Sequence, residues 1–225
     1  MYPLPLRPAR GVAFLAVGAL VLHSLVAVGV IVVDLQRAAF IDRVIADPAA
    51  ITMEEVEASD ALYALTGMAE LGVYVLTAVA FLVWIFRVRA NAEILAPDEQ
   101  RHSRPWAILA WFVPIISLWF PKRIVDDIWS ASHRDENDPW PRSGLVTLWW
   151  ALWLIGNWVA LVAGRLFFNA EELESMASAA RFDVLSCALM LVAAVPAALV
   201  VLRISNAQEA RRPAAPVSPF ESPAV

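Results

Sequence analysis

The chain has 225 residues, of which 60% are hydrophobic and 17% charged, with a formal net charge of −5. Soluble domains run near 45–50% apolar and about 25% charged, so this composition excludes an ordinary soluble globule. The acidic balance leaves no basic patch for nucleic acid, and the single cysteine, Cys187, excludes an intrachain disulfide or a thiolate metal cluster.

In chain order, the first element follows a Pro-rich start, Met1 to Arg10, which reads as a cytoplasmic N-terminal tail. The apolar run 11–33 is too long for the core of a cleavable signal and is read as a retained first span. Its helical stripe continues through Leu35, Ala38, Ile41 and Ile45 until Asp47-Pro48 ends it. Thr52 and Glu55 then fit a capping box, which starts a helix leading into the second span, 62–86.

The next apolar stretch, 106–120, is short. Its 15 residues reach only about 22 Å as a helix, against a hydrocarbon core of about 30 Å. Pro105 and Pro121 bracket it and Pro114 interrupts it, so crossing, dipping in and lying at the interface all stay open on length alone. Residues 122–132 place Ile124, Val125, Ile128 and Trp129 on one face, an amphipathic helix suited to a membrane surface. A polar turn leads to the third span, 145–168, and then the fourth, 182–202. The tail 206–225, with Pro213, Pro216, Pro219 and Pro223, has a disordered composition.

Cation placement decides the topology. With four spans and both termini cytoplasmic, the inner side holds 13 of the 17 Lys and Arg residues; the four outside are Arg37, Arg43, Arg165 and Arg181. If 106–120 crosses as well, the bias disappears. The expected fold is therefore an all-α membrane bundle of four spanning helices, residues 11–205, with 106–120 re-entrant or interfacial, in the cell membrane.

Three sets of residues stand out. Inside the bilayer, ionisable groups are functional candidates by default. Glu70 and Arg165 are expected to converge as an ion pair, and His23 to meet Asn157 by a hydrogen bond across helices, with no carboxylate chain beside them for a proton relay. Gly156, Ala160 and Gly164 form a small-residue face for close helix packing, within the bundle or between copies. The third set is the segment Trp84, Arg87, Arg89, Asn91, Pro105, Trp106, Trp111, Pro114, Pro121 and Trp129, followed by the pair Trp149-Trp150.

That third set resembles the bacterial membrane family called domain of unknown function 4328, over residues 62–202. The resemblance implies a multi-pass membrane protein and supplies no activity; the first span and the Pro-rich tail lie outside it. No metal-ligand spacing, phosphate loop, HExxH or GxSxG occurs, so no cofactor, metal or catalytic residue is expected. The bilayer is the first partner, with anionic lipid headgroups facing Arg101, His102, Arg104, Lys122 and Arg123. The leading functional expectation is a non-enzymatic scaffold or regulatory subunit that displays the Trp/Pro segment to a membrane-protein partner or a second copy. The alternatives are a small transporter or channel subunit acting as an oligomer, and a lipid-modifying enzyme.

Overall fold

A computed structural model describes residues 5–135, 138, 141–169 and 172–212. The tail read from the sequence as disordered over 206–225 is instead helical through Ala210, because its first residues continue the last long helix, and from 213 onward it lies outside the described residues. The elements are α1 (Arg10–Ala46), α2 (Met53–Leu95), α3 (Trp106–Leu109), α4 (Phe120–His133), α5 (Gly144–Phe168) and α6 (Leu173–Ala210), with 3-10 turns at Pro48–Ala50 and Ile116–Leu118. The fold is an all-α bundle, and α1, α2, α5 and α6 are each long and apolar enough to cross a membrane. At 1.5 Å per residue, α1, α2 and α6 reach roughly 55–65 Å, so each projects well beyond a hydrocarbon core.

Local chemistry sets the helix ends. At the turn between α1 and α2, Asp47 caps the first helix through its backbone N–H to the Arg43 carbonyl, 2.9 Å away. Thr52 Oγ1 accepts from the Glu55 N–H at 3.2 Å, while Glu55 Oε2 accepts from the Thr52 N–H at 2.9 Å. These reciprocal bonds satisfy two donors that the first turn of α2 leaves open.

Helices α1 and α6 form the centre of the bundle, with α2 packed on α1 and α5 packed on α6. Lipid supplies no hydrophobic drive between helices, so close approach through small residues does the work. The buried faces are accordingly small: Ala13, Ala16, Ala19 and Ala27 on α1, and Ala177, Ala180, Ala193 and Ala197 on α6. The flanking helices α2 and α5 face one another mainly through rings at two levels, Tyr63 with Phe167 and Phe81 with Trp149, at centroid distances of 5.9 and 5.6 Å.

The short apolar segment closes one end. His102 stacks on Phe120 at 4.2 Å, and Trp106 meets the same ring at 5.6 Å, so the segment leaves and returns at one end of the bundle. Its tip enters between α2 and α5, where Trp111 touches Phe81, Trp149, Trp150 and Trp153. Pro114 lies beside that tip, where its missing donor and fixed φ keep a helix from continuing. Leu109 and Ile115 are exposed on the outside of the segment, as lipid-facing side chains would be.

Candidate functional site

The two ends of the bundle differ in kind. The end at which the described residues begin and finish, the basic end, is closed by a polar clasp. Asn91, fully buried near the end of α2, accepts from the Arg7 N–H and donates to the Arg7 carbonyl and to Gln208 Oε1, each at 2.9 Å. Gln208 on α6 in turn donates to the Val88 carbonyl and to Ser132 Oγ at 3.0 Å. Trp84 Nε1 donates to Ser205 Oγ at 2.9 Å. Arg89, also buried, bonds Gln100 and the His102 carbonyl, and its Nε lies 3.4 Å from Glu93. Arg87 donates to the Pro8 carbonyl at 2.9 Å.

The segment read from the sequence as displayed is thus turned mostly inward. Trp84, Arg89, Asn91, Pro121 and Trp129 are buried; Trp106 and Trp111 are half-buried; only Pro105 and Pro114 are exposed. Helix α4 behaves the same way, with Ile124, Val125, Ile128 and Trp129 in the core alongside α2 and α6 residues instead of on a membrane surface. Of the cations expected to meet lipid headgroups, Arg101 pairs with Asp127 at 2.5 Å, Arg104 with Glu93, and Lys122 with Asp126 at 2.7 Å. Arg123 is exposed and makes no ion pair among the described residues. The Asp127 carboxylate pushes the Arg101 guanidinium above its usual range, while burial pushes the imidazoles of His102 and His133 down.

Above the tryptophan plug lies a cavity of about 570 Å³. Its walls come from all four long helices and from Trp111 and Phe112 of the re-entrant tip. The lining is apolar apart from His23, Ser24, Tyr74, Thr77 and Asn157 and the indole N–H groups of Trp149 and Trp153. Ser24 and Thr77 spend their hydroxyls on helix carbonyls, Ser24 on Leu20 and Thr77 on Val73 and Ala19. Asn157 donates to the Trp153 carbonyl at 2.7 Å, which leaves its Oδ1 without a protein donor among the described residues. His23 meets Tyr74 edge-on at 6.0 Å. His23 and Asn157 therefore share a cavity and do not hydrogen-bond to each other.

Nearer the opposite, acidic end, Glu70 does not meet Arg165. The Arg165 side chain is exposed on α5 and makes no ion pair or hydrogen bond among the described residues, whereas Glu70 faces α6. The physical reason is the packing order: α2 sits on α1 and α5 on α6, so a residue facing inward from α2 meets the central helices first. Cys187 on α6 donates its thiol to Glu70 Oε1 at 3.5 Å. Asp183, one turn before Cys187, and Asp34 on α1 have their carboxyl groups within hydrogen-bonding reach of each other. Asp34 is 1% exposed, and its Oδ2 has no donor among the described residues.

Asp34 and Asp183 are the residues that sequence reasoning missed. Position alone groups Asp34 with the loop acids and does not single out Asp183, although both are charges set in apolar runs: Val32-Val33 precedes Asp34, and Val184-Leu185 follows Asp183. The carboxylate neighbourhood that the sequence does not show around Glu70 is supplied by helices far apart along the chain. Among the described residues, no three His, Cys, Asp or Glu side chains are placed to hold a metal ion.

Gly156 has a definite packing role. A Cβ there would meet Met190 Cε at 2.9 Å, and Ser186 Oγ donates to the Gly156 carbonyl at 3.3 Å, so this glycine lets α5 approach α6. Ala160 is half-buried, and Gly164 has open space where a side chain would stand.

A family model described as Domain of unknown function (DUF4328) matches residues 47–206. The chain belongs to this family. The match takes in α2 to α5, most of α6, the re-entrant segment and the tryptophan plug, and leaves out α1. Of the groups just described, Glu70, Asn157, Asp183 and Cys187 lie in the DUF4328 region, and His23 and Asp34 lie before it. No curated protein and no solved structure matches the chain.

Proposed function

We propose that this DUF4328 protein binds an amphiphilic molecule drawn from the bilayer, holding it in the cavity between α2 and α5, as a small carrier or transporter subunit would. The observation that carries the reading is the cavity itself. A space of about 570 Å³ falls within the usual 300–1,000 Å³ of ligand sites, and its few polar groups sit on apolar walls. An aliphatic or isoprenoid body suits the Leu, Val, Ala and Trp lining. A hydroxyl or amide on that body would answer Asn157 Oδ1, His23 and Tyr74, since a buried polar group without a partner costs free energy. Entry from the side is supported by the arrangement of α2 and α5, whose ring contacts bracket the cavity above and below.

This reading is better supported than a scaffold, because the Trp, Arg and Asn side chains on which display to a partner depended are used inside the fold. The orientation we propose puts both termini in the cytoplasm, on the strength of the cation bias. In a Cys187→Ser background, Ser103→Cys should resist an impermeant maleimide in intact cells, while Ala50→Cys should react. The reverse pattern would invert the orientation.

Native mass spectrometry of the full chain released from lipid nanodiscs tests the binding itself. The expected result is a retained amphiphile that is lost when Ala78→Phe and Ala194→Phe fill the cavity. A wild-type protein carrying nothing above an unrelated membrane protein would overturn the reading, as would equal retention by the filled variant.

A further inference from the structure

The acidic half of the bundle brings carboxyl groups from three helices near one another: Asp34 from α1 lies within hydrogen-bonding reach of Asp183 from α6, and Glu70 from α2 accepts from Cys187, one turn from Asp183. No Lys, Arg or His forms an ion pair with any of them among the described residues. The nearest cations on their own helices are engaged elsewhere: Arg37 pairs with Asp60 at 2.6 Å, donates to Ser59 Oγ at 2.8 Å and lies 5.7 Å from the Tyr63 ring centroid, and Arg181 pairs with Asp42 at 2.5 Å. The other titratable groups facing the cluster are Tyr63 from α2 and Cys187 from α6.

Ionised carboxylates are acceptors only, so two of them in contact repel and cannot hydrogen-bond. Asp34 and Asp183 are nevertheless in contact, and Asp34 Oδ2 is sealed from solvent with no N–H, S–H or hydroxyl donor aimed at it. A proton on one of the two acids supplies the donor that the surroundings withhold. We propose that Asp34 and Asp183 bind and share a proton at neutral pH and, with Glu70, form a proton-loading site on the acidic side of the cavity.

The site has an exit toward the cavity. Glu70 and Tyr74 are neighbours one turn apart on α2, and Tyr74 meets His23 in the cavity wall. On α1 and α6, Ala27 and Met190 of the cavity lie seven residues from Asp34 and Asp183, two turns along the same face. Cys187 on α6 and Glu70 and Tyr74 on α2 are the titratable groups that lie between the acidic pair and the cavity. The proton site itself does not depend on what the cavity binds.

Infrared spectroscopy of the full chain in nanodiscs reads this directly. The expected spectrum at neutral pH contains a protonated-carboxyl carbonyl band that shifts down in D₂O. It also shifts when the protein is made with aspartate labelled by carbon-13 at the side-chain carboxyl, a test that needs no variant. Asp34→Asn and Asp183→Asn should each abolish the band. Absence of the band at neutral pH, insensitivity to labelled aspartate, or survival of the band in both variants would overturn the proposal. Retention of an amphiphile by native mass spectrometry is a separate readout, so either idea can fail alone.

Discussion

The basic and acidic ends of the bundle are built from similar helices and treat their polar groups in opposite ways. At the basic end, Asn91, Gln208, Trp84 and Arg89 are buried, and each is bonded to a partner from another part of the chain. The main hydrophobic core gathers there too, with Trp84, Ile85, Val88, Ile124, Ile128, Val201 and Ile204. Farther along, the cavity leaves polar atoms without protein partners, and the carboxylates face one another. A satisfied polar network rigidifies, whereas an unsatisfied one costs stability unless something else occupies it. The contrast separates a part of the molecule that holds the helices together from a part that holds something else.

The largest effect that would sharpen this contrast is expected at the plug. Trp111→Ala removes the ring against which Phe81 and three tryptophans pack, and should lower stability by about 3 kcal/mol, the low end for a large aromatic because Trp111 is half-buried. Thermal unfolding in detergent measures it; a change near zero would mean that the re-entrant tip does not support the bundle.

Next comes the clasp set against the cavity. Asn91→Ala strands Gln208 Oε1 and the Arg7 backbone, and should cost about 1–3 kcal/mol. Asn157→Ala removes one bond back to its own helix and should cost about 0.5 kcal/mol. Equal losses would erase the distinction between the two regions.

Changes in stability of similar size to that at Asn157 are expected from the glycines of α5, and they separate the two positions. Gly164→Ala meets open space inside a helix and should stabilise by about 0.5–1 kcal/mol. Gly156→Ala forces the flexible end of Met190 aside, which should cancel that gain or reverse it slightly. Identical outcomes at the two positions would mean that α5 does not approach α6 as described.

Acid should weaken the basic end by a modest amount. Burial holds the His133 imidazole below its ordinary value of 6.5, against the raising effect of its bond to the Trp129 carbonyl. Above pH 6.5 the ring is neutral in both states and contributes nothing. As the pH falls through and below 6.5, the unfolded chain takes up the proton first, so stability declines until the folded state is protonated as well. His133→Gln should flatten that limb of the melting-temperature profile, and an unchanged slope would remove His133 as its source.

Much of the architecture was legible in local signals. Apolar run length marked the four helices long and apolar enough to cross a membrane, the Thr52/Glu55 pair marked the start of α2, and the prolines of the 106–120 stretch marked an element that does not form one continuous helix. Each of these depends on residues near one another in sequence, acting through hydropathy, capping or a missing backbone donor. The DUF4328 resemblance was legible for the same reason, since its Trp, Pro and Arg residues are concentrated between 84 and 129.

What only the tertiary structure decided was which faces meet. Sequence gives the depth of Glu70 and Arg165 but not the order in which helices pack, and that order turns Glu70 toward α6 and leaves Arg165 exposed on α5. It gives tryptophans at an interface but not their convergence on Trp111. It places Asp34 and Asp183 in apolar runs about 150 residues apart, with nothing local to say that they share one buried point. Hydropathy is a property of each segment by itself. Whether two carboxyl groups touch depends on the rotation of two helices about their axes, which small-residue packing across the whole bundle sets.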